Sequence, residues 1–204
     1  MSAIARVHGG YIAGRRVQVL ARHLADLLPR DASVLDVGCG DGSLAKLIGD
    51  RRPDVQMRGI DVLVREQTAI PVEPFDGSHF PAADGSYDVV MFVDVLHHTE
   101  DAHILLKEAR RVARRNIVLK DHTRDGLLAG PTLRFMDGVG NARFGVALPY
   151  NYWTRDQWQT AFRDLHVEVE LWQSRLGLYP SWANWLFGRS LHFIARTSAQ
   201  PRSL

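Results

Sequence analysis

The sequence is poor in cysteine and lysine and has no long apolar run. Among 204 residues there is one cysteine, Cys39. That excludes an intramolecular disulfide and a multi-cysteine zinc site, and it fits the reducing cytoplasm, the location expected. Only Lys46, Lys107 and Lys120 among the 25 basic residues are lysines. The arginines are scattered, and the net charge is only +2. Broad nucleic-acid binding needs a strong basic excess or a basic face, so no nucleic-acid partner is expected. Nothing approaches the ~18–20 apolar residues of a membrane span. The opening residues, MSAIARVHGGYIAGRR, lack the apolar core of a signal peptide. There is no internal repeat and no low-complexity tract.

What is present is ordinary for a globular chain: 46% hydrophobic and 24% charged residues. The length fits one domain, which can bury about 70% of its unfolded surface without a disulfide or metal staple. Val17, Leu20, Ala21, Leu24, Leu27 and Leu28 recur at helical spacing. Pro29 closes that segment, and His8-Gly9-Gly10-Tyr11 before it reads as an irregular start or hinge. Ser33–Val37, Met57–Asp61, Ile70–Phe75, Tyr87–Val93 and Asn116–Lys120 read as strands. The crossover between the second and third strands has room for only a very short helix. Thr99 or Asp101 can cap a helix running to about Arg115. Alternation of strand and helix implies a parallel sheet covered on both faces. Residues 121–153 break the rhythm and read as a long irregular excursion. Thr154 opens a further helix to about Leu165, and 165–174 and 191–197 alternate as two closing strands.

Asp36-Val37-Gly38-Cys39-Gly40-Asp41-Gly42 lies where the first strand turns into a helix. Glycines admit a ligand close to the backbone, and the carboxyl ends of such strands are where open α/β sheets bind ligands. Gly38 and Gly40 fit the dinucleotide fingerprint, but Ser43 breaks it, which weakens a nicotinamide oxidoreductase reading. Cys39 reads as a small filler within the turn.

VLDVGCGDG resembles the first motif of class I S-adenosylmethionine-dependent methyltransferases. GID, ending at Asp61, FDGSHFPAADGSYDVV and VDVLHHTED resemble the later motifs in the same order. The last is similar to the small-molecule branch often called type 11, which includes quinone-biosynthesis-like enzymes. The likeness spans residues 33–120. It implies a Rossmann-like, doubly wound seven-stranded α/β sheet, mostly parallel with an antiparallel last strand, and S-adenosyl-L-methionine as cofactor. It implies that Asp61, with Val62, meets the ribose hydroxyls, and that Asp76, with Gly77, meets the adenine amine. Asp36 would serve the methionine ammonium, directly or through water. Gly38 and Gly40 would lie along the methionine portion, and Val93 would offer a backbone carbonyl. Bland alternatives stand beside each: Asp61 as a solvated strand-end acid, Asp76 as a turn residue before Gly77, and Asp36 as a loop organiser.

Methyl transfer from a sulfonium is a displacement whose donor is already activated. Alignment supplies about 7–11 kcal/mol in favourable cases, and a base adds only ~10²–10⁴-fold. Candidate bases are His97 and His98 after the fourth strand and His122 after the fifth, with Asp94 and Asp121 beside them. The aromatic and polar residues of 121–153 suggest an acceptor pocket, with Arg134, Asn141, Tyr150 and Tyr152 as contacts and Tyr11 as part of a lid. Trp182, Trp185 and Phe187 read either as core or as an apolar patch. Arg110, Arg111, Arg114 and Arg115 read as a last helical turn favoured by the macrodipole.

The expectation is therefore a single methyltransferase domain. It comprises an N-terminal helical cap (1–29), a cofactor-binding core (33–120), an acceptor-pocket insertion (121–153) and a closing helix with a strand pair (154–204). It would act on a small metabolite, hydrophobic ones included, with no metal, no membrane span and an unspecified oligomeric state. The alternatives are a nucleic-acid methyltransferase and a non-catalytic cofactor-binding partner subunit. DVLHH in place of an Asn/Asp-Pro-Pro-aromatic motif weighs against the former.

Overall fold

The structure, a computed structural model, describes residues 3–141, 149–180 and 191–199; of residues 3–13, 137 and 139–141 it describes the backbone only. Its strands are β1 Ser33–Val37, β2 Gln56–Asp61, β3 Val72–Pro74, β4 Tyr87–Val93, β5 Ala113–His122, β6 Val169–Gln173 and β7 His192–Ser198. Its helices are α1 Ala3–Leu27, α2 Ser43–Arg51, α3 Ala102–Val112, α4 Ala129–Asn141 and α5 Arg155–Asp164, with a 3-10 turn over Leu96–His98.

The strands form one sheet in the order β3-β2-β1-β4-β5-β7-β6. The first five are parallel. Strand β7 enters antiparallel between β5 and β6, which is the expected mostly parallel, seven-stranded arrangement. The continuous apolar runs of β4 and β5 are buried on both faces, as parallel strands require. One face packs Leu35, Val90, Ile117 and Phe193 against α3 and α5. The other packs Val34, Met91, Val118 and Ile194 against α1 and Ile48 of α2.

Chain order runs outward from β1 to β3 and then returns to place β4 on the other side of β1. Such a reversal opens a crevice at the carboxyl ends of the strands. Asp101 caps α3, accepting from the His103 amide, and Thr154 and Gln157 form a reciprocal capping box on α5.

Several local expectations are corrected. The backbone of α1 is helical from Ala3, so His8-Gly9-Gly10-Tyr11 lies inside the helix rather than as a hinge before it; interior glycine costs about 1 kcal/mol, which a long helix tolerates. No helix joins β2 to β3; residues 62–71 are irregular. Helix α3 ends at Val112, so Arg114 and Arg115 are strand residues of β5, leaving Arg110 and Arg111 in the last helical turn. Residues 121–153 are not wholly irregular: α4 occupies Ala129–Asn141, with Pro131 in its first turn, where a missing N–H costs nothing. The Trp182–Phe187 segment lies outside the described residues.

Cys39 is half-buried, and its place explains Gly59 of β2. A Cβ on Gly59 would sit 2.3 Å from the Cys39 sulfur and 3.3 Å from Val72 Cγ2. Gly59→Ala is expected to destabilise the protein by about 1–3 kcal/mol in urea unfolding. The Cys39→Ala background should recover part of that loss. Equal losses in the two backgrounds would show that the sulfur is not the obstacle.

Candidate active site

At the switch point a cleft of about 570 Å³ is bordered by the ends of β1, β2, β3 and β4. Gly38 and Gly40 line it from the turn after β1, Asp61 and Val62 from β2, Asp76 and Gly77 from the turn after β3, and Asp94 and His98 from the turn after β4. Gly38 has φ +70°, and a Cβ there would lie 2.7 Å from Val95 Cγ2. Both backbone conformation and space therefore demand glycine. At Gly40 a Cβ would meet nothing within 4 Å, because the residue faces open space.

The acids are held by backbone amides. Asp61 accepts from the Gly40 amide at 2.7 Å and the Leu63 amide at 2.9 Å. Asp76 Oδ1 accepts from the Ser78 and His79 amides, each at 2.7 Å, and from the Ser78 hydroxyl at 2.9 Å. Those bonds lower its pKa, the His79 amide first. The turn geometry foreseen as the plain alternative for Asp76 is thus present, on a residue that also borders the cleft. The cleft is acidic: among the described residues of its lining, Asp61, Asp76, Asp94, Glu100 and Asp101 stand against one arginine, Arg65, and no lysine.

Asp36 is buried in β1, below the turn and outside the cleft lining. Burial, and then repulsion from Asp61, push its carboxyl up to about 8. Val93 turns into the α1 layer.

Beyond Asp94 the ends of β4, β5 and β7 carry a buried polar cluster. Asp94 has φ +58°, a left-handed conformation rare for a non-glycine residue. Lys120, fully buried in β5, bonds its Oδ1, and Arg16 of α1 reaches its Oδ2 at 2.9 Å. Burial opposes the ionised form of Asp94, but Lys120, then Arg16 and His97, outweigh it and hold the carboxyl well below the usual range. Lys120 Nζ also lies 3.3 Å from His192 Nδ1. Asp121 accepts from the Leu96 amide at 3.1 Å and the His122 amide at 2.8 Å, and His97 Nδ1 lies 2.6 Å from its Oδ1. Despite burial, His97 keeps Asp121 ionised, so Nδ1 carries the imidazole hydrogen. The His97 ring stacks on Tyr152 at 5.4 Å and lies 3.9 Å from that of His98. His122 is buried; burial first, then Lys120, push its pKa well down.

A family model described as a methyltransferase domain matches residues 11–174, most of the chain. The chain belongs to the methyltransferase domain family. The chain is 38% identical over 92 residues to ribosomal RNA-processing protein 8 of Caenorhabditis briggsae, covering 45% of this chain and 26% of that protein. It is 30% identical over 110 residues to 27-O-demethylrifamycin SV methyltransferase of Amycolatopsis mediterranei strain S699, covering 47% of this chain and 40% of that one. The chain therefore spans well under half the length of these relatives. In fold it is similar to a chain in the complex between the Haloferax volcanii Trm112 methyltransferase activator and a methyltransferase, with TM-score 0.68, 16% identity and 97% of both chains covered.

S-adenosylmethionine is the cofactor of this family, and the residues present fit it. Its sulfonium and ammonium are cations, and the cleft is lined by acids. Its methionine portion needs close backbone approach, which Gly40 permits. A positive charge placed over Asp36 would offset the burial and the repulsion from Asp61 that raise its pKa.

The sequence-predicted residues divide as follows. Gly38, Gly40, Asp61, Val62, Asp76, Gly77 and His98 meet at the cleft; Asp36 lies beneath it. His97 and His122 sit behind Asp94 in the buried cluster and do not border the cleft. Among the acceptor-side candidates, Arg134 lies over the Tyr150 ring at 5.9 Å, and Tyr152 packs on His97. The side chains of Tyr11 and Asn141 lie outside the described residues. Sequence reasoning missed Arg16, His192 and Tyr179, whose hydroxyl lies 3.5 Å from His192 Nε2. It also gave no role to Lys120, whose signal was a charge closing the apolar run NIVL.

Two outcomes follow from the perturbed groups. The folded chain keeps Asp36 protonated up to about pH 8, against an ordinary 3.8. The folded state therefore binds the extra proton, and the contribution of Asp36 to stability falls as pH rises from 3.8 to about 8, by up to about 1.4 kcal/mol per pH unit. Buried His122, neutral in the fold, adds an opposite slope below about pH 6.5. Asp36→Asn should therefore flatten the decline of stability in urea unfolding between about pH 7 and 8; an unchanged slope there would contradict it. The Cys39 thiol is pushed up to about 12 by burial and then by Asp36 and Asp61. It should resist iodoacetamide at pH 8 in the native protein and react once unfolded; fast native labelling would contradict this.

Proposed function

We propose that this methyltransferase carries the methyl group of S-adenosylmethionine to a small organic acceptor, hydrophobic ones included. The observation that supports this reading best is the acidic cleft at the switch point, with Asp61 tied to the Gly40 amide and Asp76 across from it. Asp61 would take the ribose hydroxyls, a pair of donors that a carboxylate accepts well, and Asp76 the adenine amine. Asp36 would lie under the ammonium. When bound, the cofactor supplies an electrophilic methyl on a good leaving group. The protein's part is then to hold the acceptor in line and keep water away. His98 is the imidazole at the cleft and takes the proton that an oxygen or nitrogen acceptor releases. Asp121 and His97 stand behind it and fix the wall on which it rests. The acceptor side is bounded by Tyr150 and Tyr152 near Arg134.

A second reading, methylation of RNA, draws on the likeness to a ribosomal RNA-processing protein. The acid-lined cleft opposes it, since a polyanion gains from cations at its groove. RNA affinity falling steeply with salt would favour that reading. A partner subunit without activity would bind the donor yet turn over no acceptor.

Calorimetry should show one S-adenosylmethionine or S-adenosylhomocysteine site, with no affinity for NAD. Asp61→Ala should weaken the site at least about tenfold, the loss of a charged double hydrogen bond. No donor binding by folded protein would sink the proposal. With a labelled donor and a metabolite panel, His98→Ala should lower turnover about 100-fold while the donor Kd holds. Full turnover would remove His98 as the base.

A further inference from the structure

Asp94, His97 and His122 bring one carboxylate and two imidazoles together, with donor atoms within 4.8 Å of one another. We propose that these three side chains bind a divalent transition-metal ion just behind the cleft, with Asp94 as the ligand that borders it. Two imidazoles and a carboxylate suit zinc, iron(II), cobalt(II) or manganese, and three protein ligands leave positions open. Donors bound to one ion at ~2.1 Å lie about 3.0–3.4 Å apart. Asp94 Oδ1 and His122 Nδ1 are 3.6 Å apart, already near that edge. His97, within 4.8 Å of the other donors, completes the set after a contraction of up to about 1.4–1.8 Å.

Three features beyond the residue types support the site. Asp121, buried and 2.6 Å from His97 Nδ1, orients the ring by one nitrogen, as carboxylates do behind metal-bound histidines. His122 Nδ1 is buried with no well-formed hydrogen bond among the described residues, and it lies 3.6 Å from an oxygen of Asp94 and, at the long edge of hydrogen bonding, 3.5 Å from one of Asp121. A cation among these groups would meet a lone pair and carboxylate charge together. Finally, Asp94 borders the cleft while His97 and His122 lie behind it, so an ion held by the three is reached from the cleft on the Asp94 side. An ion there takes a hydroxyl or carboxylate oxygen of the acceptor. That last step rests on the methyltransferase reading; the ion site itself does not.

Lys120 and Arg16 compete for Asp94. The ion takes the place of the Lys120 ammonium at Oδ1, and the ammonium turns to His192 Nδ1, 3.3 Å away. Arg16 keeps Oδ2. Lys120 therefore sets the affinity from outside the ligand set.

The test uses untagged full-length protein stripped with a chelator, then loaded with Co²⁺ or Zn²⁺ and desalted. Metal content and the Co²⁺ visible spectrum are the readouts. One ion per chain is expected. His122→Ala should lose at least about tenfold in affinity and Asp121→Asn about 10–100-fold, while Lys120→Met should bind more tightly. Thermal melting and donor binding on the same samples show that each variant is folded. If Lys120→Met does not fold, Lys120→Gln takes its place. No retained ion in the unmodified protein, or equal retention in His122→Ala, overturns the site and leaves the methyltransferase reading standing. A protein that binds the ion but no donor overturns that reading instead.

Discussion

The hydrogen bond from the Gly40 amide to the Asp61 carboxylate ties the turn after β1 to the end of β2, and the cleft is organised around it. Without it the glycine turn would be a loose connection and Asp61 a solvated acid. With it, two loops from adjacent strands form one wall whose polar groups are fixed before any ligand arrives. Preorganised groups cost little to use when a ligand binds. The same bond brings Asp61 near Asp36, and the repulsion between them is part of why Asp36 stays protonated in the free protein. Stability is given up at a place where a cationic ligand would restore it, a familiar pattern at functional sites.

The charges of the molecule separate by place. Acids border the cleft, where a cationic donor would meet them, while Arg16 and Lys120 are set behind Asp94. Lys120 is buried without exposure to water; its ammonium pKa is lowered by burial, against the pull of Asp94. A buried ion pair adds little net stability, and losing one partner is costly. Its use here is geometric. Lys120 and Arg16 hold Asp94 in a left-handed turn, which directs the chain from β4 into the 3-10 turn carrying His97 and His98. Arg16 thereby makes α1 part of the site rather than a detached cap.

Much of this was readable along the chain. The β1 turn is legible because glycines, a terminal acid and an apolar run coincide in a few residues. Strands β4 and β5 are legible because burial on both faces leaves an unbroken apolar stretch. Asp101 and Thr154 announce the helices they cap. Helix α4 was hidden, since Gly130, Pro131, Gly138 and Gly140 mimic a loop and its helical state depends on packing of Ala129 and Leu133 against Tyr152 and Leu191. The pairing of Arg16 with Asp94 spans 78 positions, and His192 meets Lys120 across 72. No local pattern encodes such meetings; the sheet order does. Likewise His97, His98 and His122 look equivalent as letters, and only the fold puts His98 at the cleft and the other two behind Asp94.

The central claim is that the acidic cleft holds S-adenosylmethionine with its ribose on Asp61. A crystal structure with S-adenosylhomocysteine tests it most directly. The account predicts the ribose hydroxyls on Asp61, the adenine beside Asp76 and the amino-acid end along Gly38 and Gly40. A ligand found elsewhere, or a saturated crystal with nothing in this cleft, would contradict it.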